Sequence, residues 1–273
     1  MDRDKIDRDK IDKDKMIKRG WLLFAFVLAL TAMPEPAVAR TTTAVDQEQD
    51  SYEKLGKNNE TLPPDFSEDD LYGLPELADG EQKDYHTLQL QVTKTDLHEI
   101  RLSWNVVKDA DGYELYGARC NAKGKRYRVT QITDLGAPTL TAWMCTGLKK
   151  NTYYKFAVRA YQIKNGRKTY LVRSRAAHAP TSGGTYGYIR QVDVKTPDVT
   201  MTAGGSYTIR PVVDRSGLRQ NFHNTLRYES SDISVATVDE NGRIKAVGKG
   251  RAVVYVYVYA TNGCYAVVRV VVR

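Results

Sequence analysis

The chain has 273 residues, of which 41% are hydrophobic, so it is long enough for more than one domain with its own core. Its net charge of +8 divides into +1 over residues 1–39, −9 over 40–86 and +16 over 87–273, which predicts an acidic spacer followed by basic folded modules. No stretch beyond residue 30 is long and apolar enough to span a membrane, which excludes stable membrane insertion of the remaining chain.

The amino terminus has the pattern of an export signal. Lys18 and Arg19 precede the apolar run Trp21–Leu30, and Ala37-Val38-Ala39 is a small-x-small cleavage sequence before Arg40. We therefore predict a signal peptide over 1–39 and a secreted, extracellular protein that begins at Arg40. An uncleaved anchor is the less favoured alternative, because the apolar run is short for a membrane span.

A charged near-repeat, DRDKIDRDKIDKDK, stands in front of this signal. Alternating charges do not belong to a secretory leader, so either translation starts at Met16 or the leader is unusually extended. We favour Met16. The repeat has no apolar stripe and almost no net charge, which argues against a nucleic-acid-binding role.

Residues 40–86 mix Pro, Gly, Asp and Glu with few apolar residues. Leu71, Leu74 and Leu77 recur every three residues, but Gly73 and Pro75 between them disfavour a helix. The composition predicts a disordered acidic linker.

Residues 87–181 contain short strand patterns with turn signals between them, which is typical of a β-sandwich. Trp104 in HEIRLSWN, the stretch DGYELY and the stretch LKKNTYYKFAVRA resemble the fibronectin type III family. The resemblance implies that Trp104 is a core residue, that Tyr154 ties its hydroxyl to the backbone at a sandwich corner, and that Val158 points inward.

Residues 188–273 contain a second set of strand patterns, including a hairpin signal at Asn241-Gly242. The stretches YESSD, VATVDENGRI and AVGKG and the final Val-rich strand resemble bacterial immunoglobulin-like domains of group 2. We therefore expect an all-β protein with two tandem immunoglobulin-like sandwiches. This order of modules resembles pairs found in secreted and surface proteins of clostridial-type Gram-positive bacteria.

Residues with catalytic or metal-binding chemistry are sparse. The four histidines lie far apart and do not form a paired-ligand spacing. Asp109, Asp111 and Glu114 are better explained as turn and strand-end residues than as a glycosidase pair. We expect no catalytic residues, no metal site and no cofactor.

Three cysteines are present in the chain. Cys120 at the end of one strand and Cys145 near another could form a disulfide across the first sandwich after export, or both could be buried free thiols. Cys264 is then an apolar filler or a surface thiol.

Two sets of residues are candidates for ligand binding. Tyr255, Tyr257 and Tyr259 share one face of a strand whose other face is valine, so they either bind a sugar or protein partner or pack on the neighbouring module. The second set is basic and could attract wall polyanions; it comprises Lys123, Lys125, Arg126, Arg173 and Arg175.

These patterns predict a monomeric, non-catalytic adhesion or binding protein of the bacterial cell surface. Its expected ligand is a cell-wall polyanion, a glycan or a surface protein rather than nucleic acid. The alternative is a structural spacer or accessory module that presents or associates with another secreted protein, and a secreted hydrolase is the weakest hypothesis. Without a wall-sorting signal in the sequence, we expect only loose electrostatic association with the wall.

Overall fold

The computed structural model describes residues 39–42, 71–120, 127–184, 186–214, 225–248 and 252–273. Within these ranges the chain is all-β, which confirms the predicted fold class. None of the described residues forms a helix long and apolar enough to cross a membrane. The predicted signal peptide up to residue 38, Met16, residues 43–70, and Lys123, Lys125 and Arg126 lie outside the described residues.

The first sandwich consists of two sheets whose inner faces are apolar at alternate positions. Their strands are β1 (Ala39–Thr42), β2 (Gln82–Lys83), β3 (Gln91–Thr95), β4 (Ile100–Ser103), β5 (Gly112–Arg119), β6 (Thr130–Leu135), β7 (Ala142–Thr146), β8 (Tyr153–Lys164), β9 (Arg167–Arg173) and β10 (Ala177–Pro180). One sheet has the order β1-β7-β4-β3, and the other has the order β2-β9-β8-β5-β6 with β10 paired to β8.

The core of this sandwich is aromatic and aliphatic. Trp104 is buried and meets Tyr113 edge to face, with 5.6 Å between ring centroids. Tyr154 and Val158 are fully buried on β8, and the Tyr154 hydroxyl accepts the Lys149 N–H at 2.9 Å. This bond has the geometry of a sandwich-corner tyrosine, because it joins the β8 side chain to the backbone just before the strand.

The second sandwich has smaller sheets and a core made mainly of valine and alanine. Its strands are β11 (Gln191–Val194), β12 (Asp198–Met201), β13 (Ser206–Thr208), β14 (Pro211–Asp214), β15 (Leu226–Ser230), β16 (Ala236–Val238), β17 (Arg243–Ala246), β18 (Ala252–Ala260) and β19 (Tyr265–Val272). The sheets have the orders β11-β14, β12-β19-β18-β15 and β13-β17-β16. On β18, Val254, Val256 and Val258 point into the core.

Residues 71–86 differ from the predicted disordered linker. Leu71 packs with Tyr116, Ala118 and other buried residues on the outer face of the sheet that contains β5 and β8. β2 adds a parallel strand to β9, and Tyr85 is 1% exposed. A few apolar residues and one buried ion pair hold the segment against the first sandwich, although its average composition is that of a spacer.

Candidate functional site at the domain junction

The turn between β18 and β19 lies against the first sandwich. Thr261 and Asn262 are each 2% exposed. Their carbonyl oxygens accept the backbone N–H groups of His178 and Val92, both at 2.8 Å. Gly263 has a φ of +86°, and a Cβ at this position would clash with the Leu90 carbonyl oxygen. The turn therefore needs glycine both for its backbone conformation and for the close approach of the two domains.

Tyr85 from the segment before the first sandwich fills the junction. Its ring stacks on Tyr259 with 3.9 Å between centroids, and it meets Tyr257 and Tyr265 edge to face. The Tyr85 hydroxyl donates to the Gly263 carbonyl at 2.5 Å. Burial and the neighbouring phenols raise the pKa of Tyr85 above its ordinary range, so the neutral phenol is strongly preferred. These contacts join the segment, the hairpin turn and β18.

The tyrosine row, formed by Tyr255, Tyr257 and Tyr259, therefore differs in solvent exposure from one end to the other. Tyr255 is 46% exposed, Tyr257 is half-buried and Tyr259 is only 2% exposed. Tyr259 is not available to a ligand because Tyr85 covers it. Tyr257 and Tyr259 pack within the protein, which is one of the two predicted alternatives, whereas Tyr255 remains exposed.

The predicted basic surface is also partly used inside the protein. Arg173 donates from Nη1 to the Pro75 carbonyl at 2.8 Å. Arg175 donates from Nε to Glu229 Oε2 at 3.2 Å, across the junction. Arg227, which was not among the predicted residues, is buried and donates to the Ala176 carbonyl at 2.7 Å. Arg173 and Arg175 thus hold the segment and the two domains together.

Glu229 on β15 connects three parts of the junction. Its Oε1 accepts the Tyr85 N–H at 2.6 Å and the His86 N–H at 3.3 Å, while its Oε2 accepts Arg175. The two backbone donors lie more than 140 residues away in sequence. This single carboxylate therefore fixes the end of the segment against the second domain.

Asp84 and His86 bring further metal-ligating atoms to the same place. His86 Nδ1 lies 3.6 Å from Asp84 Oδ1 and 3.8 Å from Glu229 Oε1. The three ligating atoms are all within 4.8 Å of one another. The sequence predicts no metal site, because no histidine pair has ligand spacing. The placement of Asp84 and His86 two residues apart was a usable signal. Glu229, however, is far away in the sequence and is brought to them only by folding.

A second polar cluster lies under the segment on the outer face of the first domain. Glu81 forms a bidentate ion pair with Arg159, whose Nε lies 2.8 Å from Glu81 Oε1. The guanidinium of Arg159 also lies 3.6 Å from the centroid of Tyr170. Hydrogen bonding and attraction to Glu81 raise the pKa of Arg159 against the opposing effect of burial. The pair is a structural anchor, because its charges satisfy each other.

The acidic residues that were considered as a catalytic pair, Asp109, Asp111 and Glu114, make separate structural contacts. Asp109 is exposed in a turn with a φ of +63°, and Asp111 accepts the Ile163 N–H at 2.6 Å. Glu114 is buried and accepts hydrogen bonds from Tyr116 at 2.6 Å and Lys168 at 2.7 Å. These groups do not converge on one reacting position.

The cysteines do not form the disulfide that was considered. Cys145 is fully buried in the core of the first sandwich, whereas Cys120 lies beside His178 with Sγ 3.9 Å from Nδ1. Burial raises the pKa of the Cys145 thiol above its ordinary range. Neither cysteine is part of a disulfide, since Cys145 lies in the core of the first sandwich and Cys120 contacts His178.

One comparison with known families matches the second sandwich. Residues 189–268 match the bacterial Ig-like domain (group 2) family. The second module is a bacterial Ig-like domain of group 2. The Ig-like domain accounts for less than half of the chain, and no curated protein matches the sequence.

The solved structures similar to this chain cover about a third of it. The fibronectin type III domain of the human collagen alpha-1(XX) chain is 16% identical, with 36% of this chain and 86% of that domain covered and a TM-score of 0.28. A domain of human fibronectin type III domain containing protein 3 is 19% identical, with coverage of 36% and 87% and a TM-score of 0.27. The chain has two β-sandwiches, of which the second matches the Ig-like family, and such domains are suited to binding or structural roles.

Proposed function

We propose that the chain is a secreted, non-catalytic protein of the bacterial cell surface that binds an anionic wall glycopolymer through the exposed end of the tyrosine row. The observation that carries this proposal is the pairing of Tyr255 with Arg269 on the outer face of the Ig-like domain. Tyr255 is 46% exposed, and the Arg269 side chain is 48% exposed. Val253 extends the same open surface.

The chemistry of this patch suits a polymer with sugar or polyol units and phosphates. A phenol ring offers a flat surface for a sugar ring, and a guanidinium can donate two parallel hydrogen bonds to phosphate. Arg269 pairs with Asp198 at 3.5 Å, but both side chains are exposed. Exposed ion pairs contribute about 0–1 kcal/mol, so a ligand phosphate can replace Asp198 at small cost.

The junction supports this role because it holds the patch on a fixed support. Backbone hydrogen bonds, the Tyr85 stack and the Glu229 contacts connect the Ig-like domain to the first sandwich. A binding surface on a rigid unit loses less conformational entropy when it engages a ligand. The same rigidity also suits the second candidate function, a spacer that presents another secreted protein.

The test is retention of the purified full chain on isolated Gram-positive cell walls, with and without teichoic acid, over a salt series. We expect binding that requires the polyanion and weakens with salt, since the contacts are largely between exposed charges. Tyr255→Ala and Arg269→Gln should each reduce retention several-fold. Arg243→Gln is the matched control, because Arg243 is exposed on a different sheet of the same domain.

Two results would contradict the proposal. One is an absence of binding at low salt, which would favour the spacer. The other is an equal loss with Arg243→Gln and Arg269→Gln, which would mean that net charge rather than the patch determines retention.

A further inference from the structure

We propose that Asp84, His86 and Glu229 form a transition-metal site, best suited to Zn²⁺, that fastens the segment before the first domain to the Ig-like domain. The site is separate from the Tyr255 patch and does not depend on the proposed function. Two of its ligands are on the segment and the third is on β15.

The hydrogen bonds around His86 determine which ring nitrogen is available. The Thr87 hydroxyl lies 3.2 Å from Asp84 Oδ2, to which it donates, and 3.2 Å from His86 Nε2. Because the hydroxyl hydrogen is donated to Asp84, the hydroxyl oxygen accepts a hydrogen bond from the Nε2–H of His86. In the neutral imidazole, this network places the proton on Nε2 and leaves a lone pair on Nδ1.

The Nδ1 lone pair then faces two carboxylates. The Nδ1 atom is inaccessible to solvent and has no hydrogen-bond partner among the described residues. Its separations of 3.6 and 3.8 Å from Asp84 and Glu229 are too long for hydrogen bonds. Two carboxylates and an imidazole lone pair that converge in this way repel one another unless a proton on Nδ1 or a metal cation lies between them.

The separations suit a small cation. With metal–ligand bonds of about 2.0–2.2 Å, neighbouring ligands of a tetrahedral zinc ion are about 3.4 Å apart. The two nitrogen–oxygen distances exceed this value by only a few tenths of an ångström. An imidazole and two carboxylates are typical zinc ligands, whereas Ca²⁺ and Mg²⁺ prefer six or more oxygen ligands.

Surrounding groups hold each ligand in position. The Thr87 N–H donates to Asp84 Oδ1 at 2.8 Å, and the Tyr85 N–H donates to Glu229 Oε1 at 2.6 Å. Arg175 binds the second oxygen of Glu229, so Oε1 remains directed toward His86. The second oxygens of Asp84 and Glu229 bind the Thr87 hydroxyl and Arg175, and such outer contacts orient ligands at zinc sites. Three protein ligands leave a fourth position for water.

The experiment uses the full chain after EDTA treatment, with Zn²⁺ added alone and followed by titration calorimetry and thermal unfolding. We expect one equivalent of Zn²⁺ to bind at a site that requires His86, and this binding should raise the unfolding midpoint. His86→Gln should weaken that equivalent at least tenfold and abolish the rise. His98→Gln is the matched control, because His98 Nδ1 contacts the Leu148 carbonyl away from this site.

Co²⁺ provides an independent spectroscopic measurement, since its visible absorption reports tetrahedral coordination. We expect this absorption in the parent chain and in His98→Gln, and its loss in His86→Gln. Equal Zn²⁺ binding by the parent chain and His86→Gln would overturn the proposal, as would an unfolding midpoint that does not respond to Zn²⁺. Because His86 is one-third exposed, its replacement leaves the fold intact, and the test does not depend on a Glu229 variant.

Discussion

The two domains differ in what covers the outer face of their larger sheet. In the first domain, residues 71–83 cover this face and anchor it through Glu81 and Arg159. In the Ig-like domain, the face formed by β18 and β19 is covered at Tyr259 and open at Tyr255. The preceding segment therefore buries part of the outer face of one sheet and leaves the other partly exposed.

This difference explains why similar side chains have different roles. Tyr170 contacts a buried arginine under the segment, whereas Tyr255 lies on the open end of its row. A buried aromatic–cation contact stabilises the fold, while an exposed aromatic residue next to Arg269 can meet a ligand. Position relative to the segment, rather than residue type, determines whether such a side chain is buried or exposed.

Breaking the anchor on the first domain should have the largest effect. Glu81→Ala leaves the Arg159 guanidinium buried without its carboxylate, since the two side chains are 0% and 3% exposed. Removal of one member of a buried pair costs about 3–5 kcal/mol of unfolding free energy. Urea denaturation followed by the fluorescence of Trp104 and Trp143 measures this change in the first domain. Glu76→Ala, an exposed change on the same segment, should leave stability within about 0.5 kcal/mol. Equal stability of the two variants would show that the segment does not depend on the ion pair.

Breaking the junction should have a slightly smaller effect. Tyr85→Ala removes the stack on Tyr259 and the hydrogen bond to Gly263, and we expect a loss of about 3 kcal/mol. Tyr85→Phe keeps the ring and should cost only about 0.5–1.5 kcal/mol. Urea denaturation followed by circular dichroism compares the two variants. If Tyr85→Phe is as unstable as Tyr85→Ala, the hydroxyl rather than the ring holds the junction.

Local patterns were sufficient to predict the sandwiches. Strand alternation placed Val254, Val256 and Val258 in one core, and the all-β architecture with its two modules followed from short strands and turn signals. Such features depend on neighbouring residues, so they can be read from one sequence.

The candidate site depends on contacts between residues that are far apart in the sequence, and local patterns do not reveal such contacts. Average composition marked residues 40–86 as a spacer, but Tyr85 and Glu81 each find a fitted partner on a folded domain. Glu229 meets the segment across more than 140 residues of sequence. Its partners are determined by how the domains pack, which residue spacing cannot predict.

The smallest expected effect is at alkaline pH, where the buried Tyr161 contributes to stability. Burial and the hydrogen bond to Asp134 raise the pKa of Tyr161 to about 12, compared with about 10 for an ordinary tyrosine. Between these values the unfolded chain releases the proton and the native chain keeps it, so this contribution to stability is lost as the pH rises from about 10 through 12. Tyr161→Phe should make the fall of unfolding free energy with pH shallower than in the parent chain. Equal slopes in Tyr161→Phe and the parent chain would contradict this assignment, and urea denaturation at several alkaline pH values measures them. Some dependence on pH should remain in Tyr161→Phe, because burial also raises the pKa values of Tyr85 and Tyr116.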